Sequence, residues 1–122
     1  MTAARKRIVV ADNDPAWLDL IVLDLELEGH EVVAQAYSGA DALAACEAEV
    51  PDVLVVDHRM PPGPHGLEVA QTVRASHPGV TVVVFTNYED PALRRAVEAC
   101  GARFVLKTNL RALREMVIAE RP

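Results

Sequence analysis

Four short apolar runs in this 122-residue sequence end in polar residues of the types that handle phosphoryl groups. Asp12, Asn13 and Asp14 follow the first run, Asp57 ends the next, Thr86 and Asn87 follow another, and Lys107 follows the last. A carboxylate is a competent nucleophile toward phosphorus and forms an aspartyl-phosphate. Crowded carboxylates repel one another and favour a divalent cation; magnesium accepts carboxylate, carbonyl, water and phosphoryl oxygens. An ammonium such as Lys107 neutralises a further oxygen, and a hydroxyl such as Thr86 donates a hydrogen bond. Phosphoryl transfer asks for little beyond positioning and charge stabilisation. Each acid alone reads equally well as a helix cap. The set acquires meaning only if the fold gathers it.

The elements that would gather it are legible. Residues 7–11, 31–36, 53–56, 81–85 and 103–106 are β-branched runs, apolar on consecutive positions. Such runs suit strands buried on both faces of a parallel sheet. Helical segments lie between them. Asp14-Pro15 opens residues 16–28 and Gly29 ends them; Ser38 caps 40–47; Gly66 leads into 67–76, which Pro78-Gly79 terminates. Asp90-Pro91 opens residues 92–100, Gly101 closes them, and Asn109 caps 110–119. Alternation predicts an α/β fold, a doubly wound (βα)5 parallel sheet with right-handed crossovers and helices on both faces. Its site would lie beyond the carboxyl ends of the strands, at the topological switch point. One domain over residues 1–122 is expected, with no output domain after the last helix.

Composition narrows the function. A net charge of −6 argues against nucleic acid as a direct partner. Residues 1–57 carry 12 acids and 3 bases, and residues 58–122 carry 6 acids and 9 bases. This is either a solvated surface of mixed sign or two faces offered to different partners. No apolar stretch suits a membrane helix or a secretory signal, which predicts a cytoplasmic protein without a membrane partner. Cys46 and Cys100 lack metal-ligand spacing and read as small buried side chains.

The chain resembles response-regulator receiver domains of two-component signalling over nearly its whole length. The matching motifs are Ile8-Val-Val-Ala-Asp-Asn-Asp-Pro15, Asp52-Val-Leu-Val-Val-Asp-His-Arg-Met-Pro61, Val82-Val-Val-Phe-Thr86, Gly101-Ala102 and Phe104-Val-Leu-Lys107. The resemblance implies a flavodoxin-like sheet of strand order 2-1-3-4-5. It implies that Asp57 accepts a phosphoryl group from a histidine kinase or histidine phosphotransfer protein. It further implies that Asp12 belongs to the acidic pocket, that Thr86 closes on the phosphoryl group and that Lys107 pairs with it. Magnesium would be held by Asp12, Asn13, Asp57 and the backbone carbonyl of Arg59. Phe104 takes the place of the switch aromatic, and Arg59 and Tyr88 occupy positions that tune phosphate lifetime. Output to a downstream protein target, or to a second copy in a homodimer, would run through the fourth helix, fifth strand and fifth helix.

The sequence departs from the family pattern in several places, among them a Gly101–Lys107 segment one residue short. Asn13 replaces a metal-ligating acid, which predicts weaker magnesium affinity. The loop from His58 to Gly66 is about one residue long for the family, and His65 reads as an exposed loop histidine. Thr108 follows Lys107 where a proline, commonly cis, is usual, so a trans bond is expected. On the first helix, the apolar surplus at Leu18, Val22 and Leu25 either forms a docking patch or buries against the fifth helix. Arg94, Arg95, Arg103, Arg111 and Arg114 suggest a basic face.

Catalysis on an outside substrate is not expected, beyond magnesium-dependent self-phosphorylation and self-dephosphorylation. A haloacid-dehalogenase-type phosphatase would use Asp12 as nucleophile, but Pro15, Ala16 and the absence of an acid pair after Lys107 do not fit it. A flavodoxin would need a glycine- and hydroxyl-rich phosphate loop. The alternative reading is a degenerate receiver that binds proteins without phosphorylation.

Overall fold

The computed structural model describes residues 5–119. Residues 1–4 and 120–122 of the expected domain lie outside the described residues. The elements are β1 (Arg7–Ala11), α1 (Pro15–Leu27), β2 (Glu31–Ala36), α2 (Gly39–Glu49), β3 (Val53–Val56), α3 (Gly66–Ser76), β4 (Thr81–Thr86), α4 (Pro91–Ala99), β5 (Arg103–Leu106) and α5 (Leu110–Ile118). The strands form one parallel sheet in the order β2-β1-β3-β4-β5, the flavodoxin-like (βα)5 arrangement. Among the described residues no helix is long and apolar enough to cross a membrane.

Consecutive apolar strand residues serve two cores, because successive side chains point to opposite faces. Val9, Leu54, Val56, Val82 and Val84 face Ala42, Cys46, Val69, Val73 and Val97 of α2, α3 and α4. Ile8, Val10, Val53, Val55, Val83 and Phe85 face Leu18, Ile21, Leu25, Leu113 and Val117 of α1 and α5. At about 1.5–3 kcal/mol for each large side chain buried, this double packing fixes the strand ends.

Most helix starts follow the capping residues. The side chains of Asp14, Ser38, Asp90 and Asn109 each accept a backbone N–H of the following turn. In α3 the cap is His65 rather than Gly66, and its N–H donates to the Glu68 carboxylate. Gly66 is needed for another reason: a Cβ there would overlap the backbone carbonyl of Asp57. The start of α3 is thereby wedged against the end of β3. The loop between them holds two cis bonds, Pro61–Pro62 and Gly63–Pro64, and the Lys107–Thr108 bond is not cis.

The structure decides between the open readings of two surfaces. Leu18 and Leu25 do not form a docking patch; both are fully buried, and Val22 is half-buried against the same core. The exposed leucines of α1 are Leu20, Leu23 and Leu27. Nor do Arg94, Arg103, Arg111 and Arg114 offer a free basic face. Arg114 is paired with Asp24 of α1, Arg103 donates to the carbonyls of Met116 and Ala119, and Arg94 lies over the Phe104 ring. Arg111 forms an exposed pair with Glu115.

Candidate functional site

The sheet ladder continues one residue past the strands and delivers the side chains. The Asp57 N–H donates to the Ala11 carbonyl (3.0 Å), the Asp12 N–H to Ala36 (3.0 Å) and the Lys107 N–H to Thr86 (2.9 Å). Ala11, Val56 and Val84 lie in register across β1, β3 and β4. Asp12, Asp57, Thr86 and Lys107 therefore reach one place from four strands. They are the protein's buried polar residues besides His30, among those described.

Lys107 joins the two acids. Its Nζ lies 2.7 Å from Asp12 Oδ2 and 3.5 Å from Asp57 Oδ2. The other oxygen of Asp12 accepts the Asp14 N–H (2.9 Å), and Asp57 Oδ1 accepts the His58 N–H (2.8 Å). Thr86 Oγ1 accepts the Tyr88 N–H (3.2 Å). Burial raises the Asp57 carboxyl above its ordinary range. Lys107 opposes that shift, Asp12 adds to it, and the His58 N–H and Thr86 hydroxyl draw it down. A buried acid that holds its proton more tightly than usual, 3.5 Å from an ammonium, is a group under electrostatic tension.

A cleft of about 370 Å³ opens above this cluster. Asp57, Thr86 and Lys107 line it, as do Asn13, Asp14, Trp17, Arg59 and Tyr88. Asp12 is fully buried beneath. Only oxygen donors suit a hard cation there: the Asp57 carboxylate, the Asn13 amide and the Arg59 carbonyl, with Asp12 behind them. The Asp14 carboxylate caps α1, as expected from the sequence. Among the described residues no three His, Cys, Asp or Glu side chains gather at a metal-binding spacing. The oxygen set fits magnesium with several waters retained, and carries less charge than a site with an acid at position 13.

The residues expected to tune and to switch lie in separate surroundings. The Arg59 guanidinium lies 5.3 Å from the centre of the Tyr88 ring, and both border the cleft. Phe104 is buried, with the Arg94 guanidinium 4.5 Å above its ring. Two further contributors escape sequence reasoning. Trp17 in the first turn of α1 lies under Lys107, whose Nζ is 4.7 Å from the ring centre. His65 is not a free loop histidine: its Nδ1 accepts the Met60 N–H (3.0 Å), and its ring packs 5.6 Å from that of His58. His58 Nδ1 accepts the Leu67 N–H (3.3 Å). The two rings thus pin the loop that carries Arg59. Burial, His65 and Arg59 lower the pKa of His58, so it favours the neutral form these bonds require. Only its position beside Asp57 hinted at this, because side chain to backbone bonds across a loop have no sequence period.

Residues 8–118 match the family described as the response regulator receiver domain. The chain is 36% identical over 107 residues to a Mycobacterium tuberculosis protein named "Probable transcriptional regulatory protein NarL", covering 86% of this chain and 49% of that one. It is 37% identical over 117 residues to the response regulator GacA of Pseudomonas aeruginosa, covering 95% and 53%. The chain spans about half the length of the curated relatives it matches. The receiver domain of NarL from Mycobacterium tuberculosis superposes with a TM-score of 0.85 at 32% identity, covering 95% of this chain and 98% of that structure. With Asp57, Thr86 and Lys107 lining one cleft, Asp12 beneath them, and the match running over residues 8–118, this chain belongs to the response regulator receiver domain family.

Proposed function

We propose that residues 1–122 form one receiver domain that takes a phosphoryl group on Asp57 from a histidine kinase or histidine phosphotransfer protein. The observation that carries this reading is Lys107 held between Asp12 and Asp57 below an open cleft. An Asp57 carboxylate oxygen attacks the phosphorus of the donor's phosphohistidine. The P–N bond breaks, its electron pair stays on the imidazole nitrogen, and that nitrogen takes a proton from water. Lys107 turns from Asp12 toward a phosphoryl oxygen, and the Thr86 hydroxyl donates to another. Asp57, Asn13 and the Arg59 carbonyl, with Asp12 behind them, would hold a magnesium ion, and that ion would offset phosphoryl charge. Arg59 and Tyr88, stacked at the rim, limit the access of water to the acyl phosphate. Asp12 does not act as the nucleophile, since it is sealed and both its oxygens are engaged.

The movement of Thr86 is transmitted to its neighbour β5, where Phe104 repacks under Arg94 and alters the α4-β5-α5 surface. That surface then meets a downstream protein target or a second copy. The net charge of −6 supports a reading without direct nucleic-acid contact by these residues. The cytoplasm, where such donors act, is the proposed location. The test is incubation with acetyl phosphate and magnesium, followed by mass measurement of the peptide containing residue 57. The wild type is expected to gain one phosphoryl group and Asp57→Asn none. An unmodified wild type would leave the chain as a phosphorylation-independent interaction module.

A further inference from the structure

We propose that Trp17 is a positioning residue for Lys107, holding the ammonium through the face of its indole ring; this rests on the phosphoacceptor reading of Asp57. Lys107 Nζ lies 4.7 Å from the ring centre, within the roughly 6 Å over which a cation is attracted to an aromatic face. The lysine side chain is 3% exposed, so the attraction acts with little competition from water. The ring is itself fixed. Its contact with Phe85 is edge-on, at 6.1 Å and 87°, and Phe85 is fully buried in the sheet. Pro15 and the Asp14 cap set the start of the helix that carries Trp17.

The reaction explains why a ring suits this place. Lys107 must exchange a carboxylate partner for a phosphoryl oxygen while staying desolvated. Asp12 draws it one way at 2.7 Å and Asp57 the other at 3.5 Å. A third carboxylate would hold the ammonium more tightly and would also repel the incoming phosphoryl oxygens. A π face attracts the cation without a localised charge and lets it slide between partners. Asn13 and Trp17 thus act together: the pocket carries less negative charge, and the lysine is still held.

Trp17 is the only tryptophan in the chain. Fluorinated tryptophans supplied during expression therefore alter this ring alone. Added fluorines weaken the negative potential of the ring face with little change in size. The readouts are the rate of Asp57 modification by acetyl phosphate with magnesium, and the thermal unfolding midpoint. The rate is expected to fall stepwise from one fluorine to three, by about tenfold at the end of the series. The midpoint is expected to hold. Trp17→Phe should retain part of the rate, and Trp17→Leu should match or fall below the trifluoro protein. A rate that ignores fluorination, or that falls only as the midpoint falls, would reduce Trp17 to a wall of the cleft. A modified wild type with a flat series overturns only this role, whereas an unmodified wild type removes the phosphoacceptor reading and this role with it.

Discussion

The two ends of the sheet treat charge in opposite ways. At the amino ends of the strands polar groups are matched and partly open to solvent. The Arg7 N–H donates to the Asp52 carboxylate (2.8 Å), and its guanidinium reaches the Glu49 carboxylate (3.0 Å) and the Glu49 carbonyl (2.9 Å) at the end of α2. His30 Nδ1 accepts the Lys6 N–H (3.1 Å). At the carboxyl ends two buried acids share one buried ammonium. The same strands support both arrangements, so the difference is not imposed by the sheet. One end is arranged to hold the fold, and the other keeps unbalanced charge beneath an open cleft.

The largest test of that contrast is loss of the shared cation. Lys107→Met leaves Asp12 fully buried with no countercharge and is expected to lower stability by about 3 kcal/mol in urea unfolding. Arg7→Ala removes an ion pair whose side chains are 43% and 39% exposed, together with the carbonyl contacts at the end of α2. Solvent screening limits that loss to about 1 kcal/mol, with Asp57 modification unchanged. If Arg7→Ala proved the more damaging of the two, the contrast between the ends would be reversed.

Acid titration separates the ends by sign. Asp57 has a folded pKa above its ordinary 3.8. As pH rises from that value through the folded pKa, the unfolded chain gives up its proton first and the folded chain is progressively destabilised. His30, largely buried, has a folded pKa below its ordinary 6.5. Its contribution is present above 6.5 and is lost as pH falls below that value, because the unfolded chain then takes the proton more readily. Unfolding free energies of wild type, Asp57→Asn and His30→Gln between pH 3 and pH 8, roughly the span in which these groups titrate, would resolve the two. Asp57→Asn is expected to gain stability relative to wild type toward neutral pH. His30→Gln is expected to narrow its deficit as the solution is acidified. Parallel curves would remove the electrostatic distinction.

The fold was more legible in the sequence than the side-chain partnerships at either end. Runs of Val and Ile disclosed the strands, and Asp14-Pro15, Ser38, Asp90-Pro91 and Asn109 disclosed four helix starts, because these signals are local. Asp12, Asp57, Thr86 and Lys107 could be placed together because topology alone aligns strand ends. The phase of α1 could not be read. Leu18, Ile21 and Leu25 make one apolar stripe and Leu20, Leu23 and Leu27 another at the same spacing, and only packing on β1 and β3 selects the first. The Arg114–Asp24 pair spans 90 positions, and the Trp17–Lys107 contact likewise joins residues on separate elements. No local pattern encodes either, since each depends on how two elements happen to face one another.

The smallest expected effect bears on what each end can give up. Val50 caps α2 at φ 40, a left-handed conformation that crowds a β-branched side chain, and it is about half exposed. Its N–H donates to the Cys46 carbonyl (2.9 Å), a bond glycine would keep. Val50→Gly relieves the crowding and gives back part of the gain through the freer unfolded chain, for a net stabilisation of about 0.5 kcal/mol. A rise in the urea midpoint with no change in the rate of Asp57 modification would show that strain at the amino end serves no chemistry. The carboxyl end admits no equivalent change. Removing the charge of Asp57 is expected to stabilise the fold and, in the same step, to end phosphoryl uptake.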